Sequence, residues 1–193
     1  MTTGTEETPR SATFRLVLLV LLVVLLLASA GVLAWLLTER RGEADDAQAE
    51  RDAVMSQTRQ FVLRLNTYGP EQLDNQKHLP DYRDQVLEVI TPKFAADFEK
   101  SGLPIAEQTV AQAGYGRSAE VFGVGVESID ADSATAIVAA GLTGSYPDPK
   151  HPDDRSKRVA ADQDVLRWEV DLVKTDGHWL VDDYAPVTGE GSQ

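Results

Sequence analysis

The chain has no cysteine. That absence excludes a disulfide framework, a thiolate nucleophile, a cysteine-ligated zinc or iron–sulfur site and a lipid-modified cysteine anchor. Histidine is scarce, with three in the chain, and His78, His151 and His178 have no metal-ligand spacing. Positive charge is short as well: Lys and Arg total 18 against 31 Asp and Glu, a net charge of −13. A surface of that sign repels phosphate rather than releasing its counterions, so no nucleic-acid partner is expected. There is no glycine-rich phosphate loop, and Gly144-Ser145 lacks the flanks of a serine nucleophile elbow.

What is present is uneven along the chain. Leu16 begins and Leu37 ends a run of 22 residues without charge, in which only Ser29 and Gly31 fall outside the apolar set. At about 1.5 Å per residue such a helix approaches the ~30 Å hydrocarbon thickness of a bilayer. Arg10 and Arg15 flank it on one side and Glu39, Arg40 and Arg41 on the other, with Trp35 near one end. Ala28-Ser29-Ala30 resembles a signal-peptide cleavage site. The apolar run continues beyond it and exceeds the ~7–15 residues of a signal-peptide core, which favours an uncleaved anchor. The expected organisation is a cytoplasmic tail (1–13), a transmembrane helix (14–38), a charged helical stalk (39–52), a folded domain (53–187) and a disordered tail (188–193).

After the anchor, Val54, Thr58, Phe61, Val62 and Leu65 fall on one face of an amphipathic helix. Gly69-Pro70 stops it. Pro80 opens a second helix with Tyr82, Val86 and Ile90. Thr91-Pro92 reads as a cap before a third, short helix carrying Phe94 and Phe98. Gly102 is expected to close that helix and Pro104 to prevent its return. The period then changes to two, predicting strands over 108–116 and 120–126, a buried strand around Thr135 to Leu142, and a proline-rich loop over 144–158. The clearest strand alternates Leu166, Trp168, Val170 and Leu172 against Arg167, Glu169 and Asp171. Asp176-Gly177 is a strong hairpin signal, with Trp179 and Val181 on the returning strand. Helices followed by strands predict an α+β fold: two or three helices packed on a curved antiparallel sheet of about four strands.

Catalytic candidates are few. Each histidine falls in a polar stretch, a loop or a hairpin tip. Asp182-Asp183 beside Tyr184 is the best acidic grouping, and a solvated strand end explains it more simply. Asp153-Asp154 lacks the further oxygen ligands a hard cation needs. Tyr82, Phe94, Phe98, Trp168, Trp179 and Tyr184 either fill the core or line an apolar pocket. No catalytic, cofactor or metal residue is assigned, and no cofactor is expected.

The lone N-terminal span and the alanine- and charge-rich helix resemble the Mce-associated membrane proteins of actinobacteria. So do the helix end Leu65-Asn66-Thr67-Tyr68, the helix start Ile90-Thr91-Pro92-Lys93-Phe94 and the terminal hairpin from Val170 to Asp183. The proline-rich loop over 144–158 departs from the family's pattern. The resemblance implies an NTF2-like (cystatin-like) cone. It also implies a non-enzymatic, single-pass accessory role beside Mce-type lipid-uptake transporter subunits or other Mce-associated proteins, with the N-terminus inside and the domain outside the cytoplasmic membrane. Two other readings of the residues stand beside it: a tethered cone holding a small apolar ligand, and an anchored isomerase or dehydratase.

Overall fold

The computed structural model describes residues 10–151, 154 and 156–187. Residues 1–9 of the expected tail, Asp153 and residues 188–193 lie outside the described residues. The chain divides into two compact units, Met1–Ala49 and Glu50–Gln193. Helix α1 (Arg10–Leu65) contributes to both.

In the first unit, Phe14–Leu33 is long and apolar enough to cross a membrane, and none of it is buried. Apolar side chains all round a helix suit lipid rather than a protein core. The hydroxyl of Ser29 donates to the Leu25 carbonyl at 2.5 Å, so the span's one hydroxyl is satisfied internally.

In the second unit the end of α1 turns amphipathic. Val54, Thr58, Phe61 and Val62 are fully buried. Thr58 donates to the Val54 carbonyl (2.8 Å) and Asn66 Nδ2 to the Val62 carbonyl (2.9 Å), so the polar residues of this face carry their own partners. A single 3₁₀ turn, Pro70–Gln72, leads to α2 (Pro80–Leu87) and α3 (Pro92–Asp97). Thr91 caps α3 by accepting the Phe94 amide, as its Thr-Pro spelling predicts.

Two expectations fail beyond this point. Gly102 does not end the helical layer. A π-helical turn, Phe98–Gly102, runs straight into α4 (Leu103–Ala113). Pro104 stands in the first turn of α4, directly after the π-helical turn. The strand expected over 108–116 is therefore mostly helix. Leu103, Ala106 and Val110 face the core at helical spacing, and Gly114 ends the helix at φ 58°, a left-handed C-cap.

The sheet is antiparallel, in the order β1 (Gly116–Ile129), β2 (Ser133–Pro147), β3 (Arg158–Thr175) and β4 (His178–Pro186). Strands β2 and β3 extend into the expected loop, leaving only the middle of 144–158 as a connection. Ala134, Ala136, Val138 and Ala140 on β2, Val170 and Leu172 on β3, and Trp179 and Val181 on β4 turn inward to meet the helices. Their small and branched side chains let the layers approach closely. Register shifts at Val121/Gly123, Val126/Ser128, Thr143/Ser145 and Asp171/Leu172 are bulges that bend the strands. The expected hairpin forms, with Asp176 (φ 51°) and Gly177 (φ 82°) both left-handed. The fold class is α+β: an N-terminal apolar helix, then short helices on one face of a bent four-stranded antiparallel sheet.

Candidate functional site: an aromatic cavity with one guanidinium

Between the helices and the inner face of the sheet lies a cavity of about 480 Å³. Tyr82, Phe98, Trp168 and Tyr184, named from the sequence, line it together with Tyr68, Tyr115, Tyr146 and Arg117. The rings touch in two groups, one running from Tyr146 through Tyr115, Tyr68 and Tyr82 to Phe98 and the other holding Trp168 and Tyr184. Tyr68 and Tyr82 stand 5.0 Å apart between centroids, Tyr82 and Phe98 5.7 Å, Tyr115 and Tyr146 5.2 Å, and Trp168 and Tyr184 4.6 Å. Tilted and edge-on pairs of this kind put the positive ring edge against a neighbouring π face.

The other two aromatics from the sequence lie elsewhere. Phe94 packs on Phe61 and Tyr184, with centroids at 5.8 Å in each case. Trp179 is buried, and its indole N–H donates to Glu50 Oε2 at 2.8 Å.

Arg117 was not foreseen. Its backbone is fixed by an antiparallel bridge to Tyr68, with N–H···O distances of 3.0 and 2.8 Å. Its guanidinium lies over the Tyr68 ring at 5.9 Å and makes two long bonds, to the Tyr115 hydroxyl (3.4 Å) and to Asn66 Oδ1 (3.5 Å). No carboxylate among the described residues pairs with it, and the cavity wall holds no Asp, Glu or His. Burial raises the pKa values of Tyr68, Tyr82 and Tyr184 above the ordinary phenol range, so these hydroxyls stay protonated. Tyr82 donates its proton to the Leu65 carbonyl at 3.0 Å.

His178 is exposed at the start of β4, while His78, His151, Asp182 and Asp183 have structural partners. His78 Nδ1 lies 3.2 Å from Glu107, and His151 Nδ1 2.9 Å from Asp148. Neither Asp182 nor Asp183 lines the cavity. Asp182 accepts from the Thr91 hydroxyl (2.8 Å) and from Lys93 Nζ (2.6 Å), while Asp183 accepts the Tyr184 amide (2.8 Å). The Lys93 ammonium, hydrogen-bonded to Asp182, holds that carboxyl below the usual carboxylate range.

No protein-family model matches the chain. Two uncharacterized proteins of Mycobacterium tuberculosis, MT1407 of strain CDC 1551 and Rv1362c of strain H37Rv, are each 28% identical to it over 174 residues, covering 87% of this chain and 70% of theirs. Among solved structures, an IcmL-like type IV secretion system protein of Legionella pneumophila is similar at 11% identity and a TM-score of 0.44, over 74% of this chain and 97% of that one. CagV of Helicobacter pylori, a VirB8 homolog, is similar at 14% identity and a TM-score of 0.44, over 70% and 96%. An Ntf2 like protein involved in plasmid conjugation is similar at 13% identity and a TM-score of 0.41, over 72% and 50%.

Proposed function

We propose that this chain is a non-enzymatic, single-pass membrane accessory protein that assists or stabilises an Mce-type lipid-uptake transporter through its NTF2-like domain. The proposed layout is a cytoplasmic tail (1–13), a span (14–38), a charged stalk (39–52), the extracytoplasmic domain (53–187) and a tail (188–193). The observation that carries the membrane part is the unburied apolar helix Phe14–Leu33. The Mce part is supported by the motif resemblance, from the Leu65-Asn66-Thr67-Tyr68 helix end to the terminal hairpin. A non-enzymatic role is supported by the cavity wall. General acid–base chemistry needs a titratable group in reach of the substrate; among its described residues the wall has no carboxylate or imidazole, and burial holds Tyr68, Tyr82 and Tyr184 protonated.

Affinity purification of the full chain in mild detergent tests this reading, with transporter subunits expected to co-purify. A reporter active only in the cytoplasm, fused at Gln193, should stay silent. Activity of the reporter, or purification without any transporter component, would falsify the proposal.

The cavity favours a second reading, compatible with the first: the tethered domain holds a small, largely apolar ligand. Its volume of about 480 Å³ falls in the ~300–1,000 Å³ range of small-molecule sites.

A further inference from the structure

We infer that the aromatic cavity binds a single-chain carboxylate amphipath, a fatty-acid anion, with its head on Arg117 and its chain against Phe98, Ile105 and Trp168. The inference rests on the ligand-holding reading and names the ligand class.

Three observations point the same way. First, Arg117 is half-buried, yet its protein partners are neutral and distant, a phenol at 3.4 Å and an amide oxygen at 3.5 Å. A guanidinium presents five donors in a planar fork suited to a carboxylate. Withdrawing it partly from water without a counter-ion is unfavourable, and an incoming anion relieves that penalty. Second, among the described residues Arg117 is the only cation on the wall, which matches a singly charged head better than a phosphate dianion. Third, apart from Asn66, Thr109 and the tyrosine hydroxyls, the rest of the wall is aromatic and aliphatic, and the volume suits one chain rather than two. Access is provided where Ile105 (64% exposed) and Tyr146 (48% exposed) form part of the rim.

The test uses the full chain in phosphatidylcholine nanodiscs, with calorimetric titration of decanoate, decanol and acetate and subtraction of empty-disc heats. Decanoate is expected to bind at least tenfold tighter than decanol, and acetate to bind hardly at all. Dodecanoate should be tighter again, by up to roughly fourfold per added methylene. Arg117→Gln should weaken decanoate binding by about tenfold or more and leave decanol within twofold. Ile105→Glu changes an exposed residue without burdening the fold, sets a negative charge at the rim, and should weaken decanoate severalfold. Equal binding of decanoate and decanol, indifferent to Arg117→Gln, overturns the inference and leaves an apolar-ligand site standing. Acetate binding as tightly as decanoate overturns it in favour of a small-anion site. If neither decanoate nor decanol binds, the inference and the ligand-holding reading fall together.

Discussion

The two edges of the sheet are tied to the helical layer in the same way but finished differently. At the β4 edge, Val181 exchanges backbone hydrogen bonds with Val89 and Thr91. At the β1 edge, Arg117 exchanges them with Tyr68. Around the first bridge, Asp182 and Glu50 have charged partners within the fold. Asp182 meets Lys93 and Thr91, and Glu50 meets Lys174 and the Trp179 indole. Around the second, Arg117 meets only neutral oxygens and a ring. The polar chemistry of one edge is complete within the fold, which is what a structural clamp requires. The other edge leaves a cation beside an open cavity, which is what recognition requires. Stability and binding should therefore separate between the edges.

The largest expected effect tests that separation. Trp179→Ala removes a buried indole and its bond to Glu50, and should cost about 3–5 kcal/mol. Tyr146→Ala, at the end of β2 beside the start of β1, removes a half-exposed ring and should change stability by less than about 1 kcal/mol. Urea unfolding of the detergent-solubilised chain, followed by far-ultraviolet circular dichroism, compares the two. Equal losses would abolish the distinction.

Thr91→Ala comes next. The hydroxyl both caps α3 and donates to Asp182, and the residue is buried, so the loss should be about 1–2 kcal/mol. Thr91→Ser keeps the oxygen and should recover most of it in the same assay. Gly114→Ala probes the approach to β1. Its φ of 58° is strained for alanine, and the added Cβ would stand 2.9 Å from Pro147 Cγ, so about 1–2 kcal/mol should be lost. A similar loss at Gly123, where a Cβ meets nothing within 4 Å, would show that strand flexibility rather than the cap is responsible.

These positions also show how far the sequence could be read. The Asp176-Gly177 hairpin was legible because a two-residue turn demands left-handed backbone at both positions, and few residue pairs supply it. The Thr91-Pro92 start was legible because a capping hydroxyl followed by proline is an equally local signal. Helix α4 was misread because an apparent period of two begins before Gly114 and continues into the true strand. Gly114 is a helix cap, while the next glycine opens β1. The helical spacing of Leu103, Ala106 and Val110 was present but outweighed by Gly102 and Pro104. In the candidate site, the periodic positions Tyr82, Phe98 and Trp168 could be named from sequence. Tyr68 and Arg117 could not, because their meeting depends on a bridge between a helix end and a distant strand. No local pattern encodes a pairing of that kind.

The smallest effect is a change of slope with pH, and it again divides the edges. The Lys93 ammonium lowers the Asp182 pKa in the folded chain. A carboxyl with a depressed folded pKa contributes stability that is fully present above its unfolded value, about 3.9. That contribution disappears as pH falls through the folded value, because the unfolded chain then binds more protons. Lys93 behaves oppositely: its raised pKa gives a contribution present below the unfolded value of about 10.4 and lost as pH rises through the folded one. Lys93 is well exposed, so solvent screening keeps both effects modest. Other lowered carboxyls, Glu50, Asp74 and Asp148, titrate in the same acid range, so the informative quantity is the difference between variants. Asp182→Asn should flatten part of the acid limb below about pH 4 and the alkaline limb above about pH 10.5. Arg117→Gln should leave the acid limb as it is, since among the described residues no carboxylate depends on that guanidinium. A matching loss of acid slope in Arg117→Gln would mean that the β1 edge holds an internal ion pair after all, and the contrast between the edges would close.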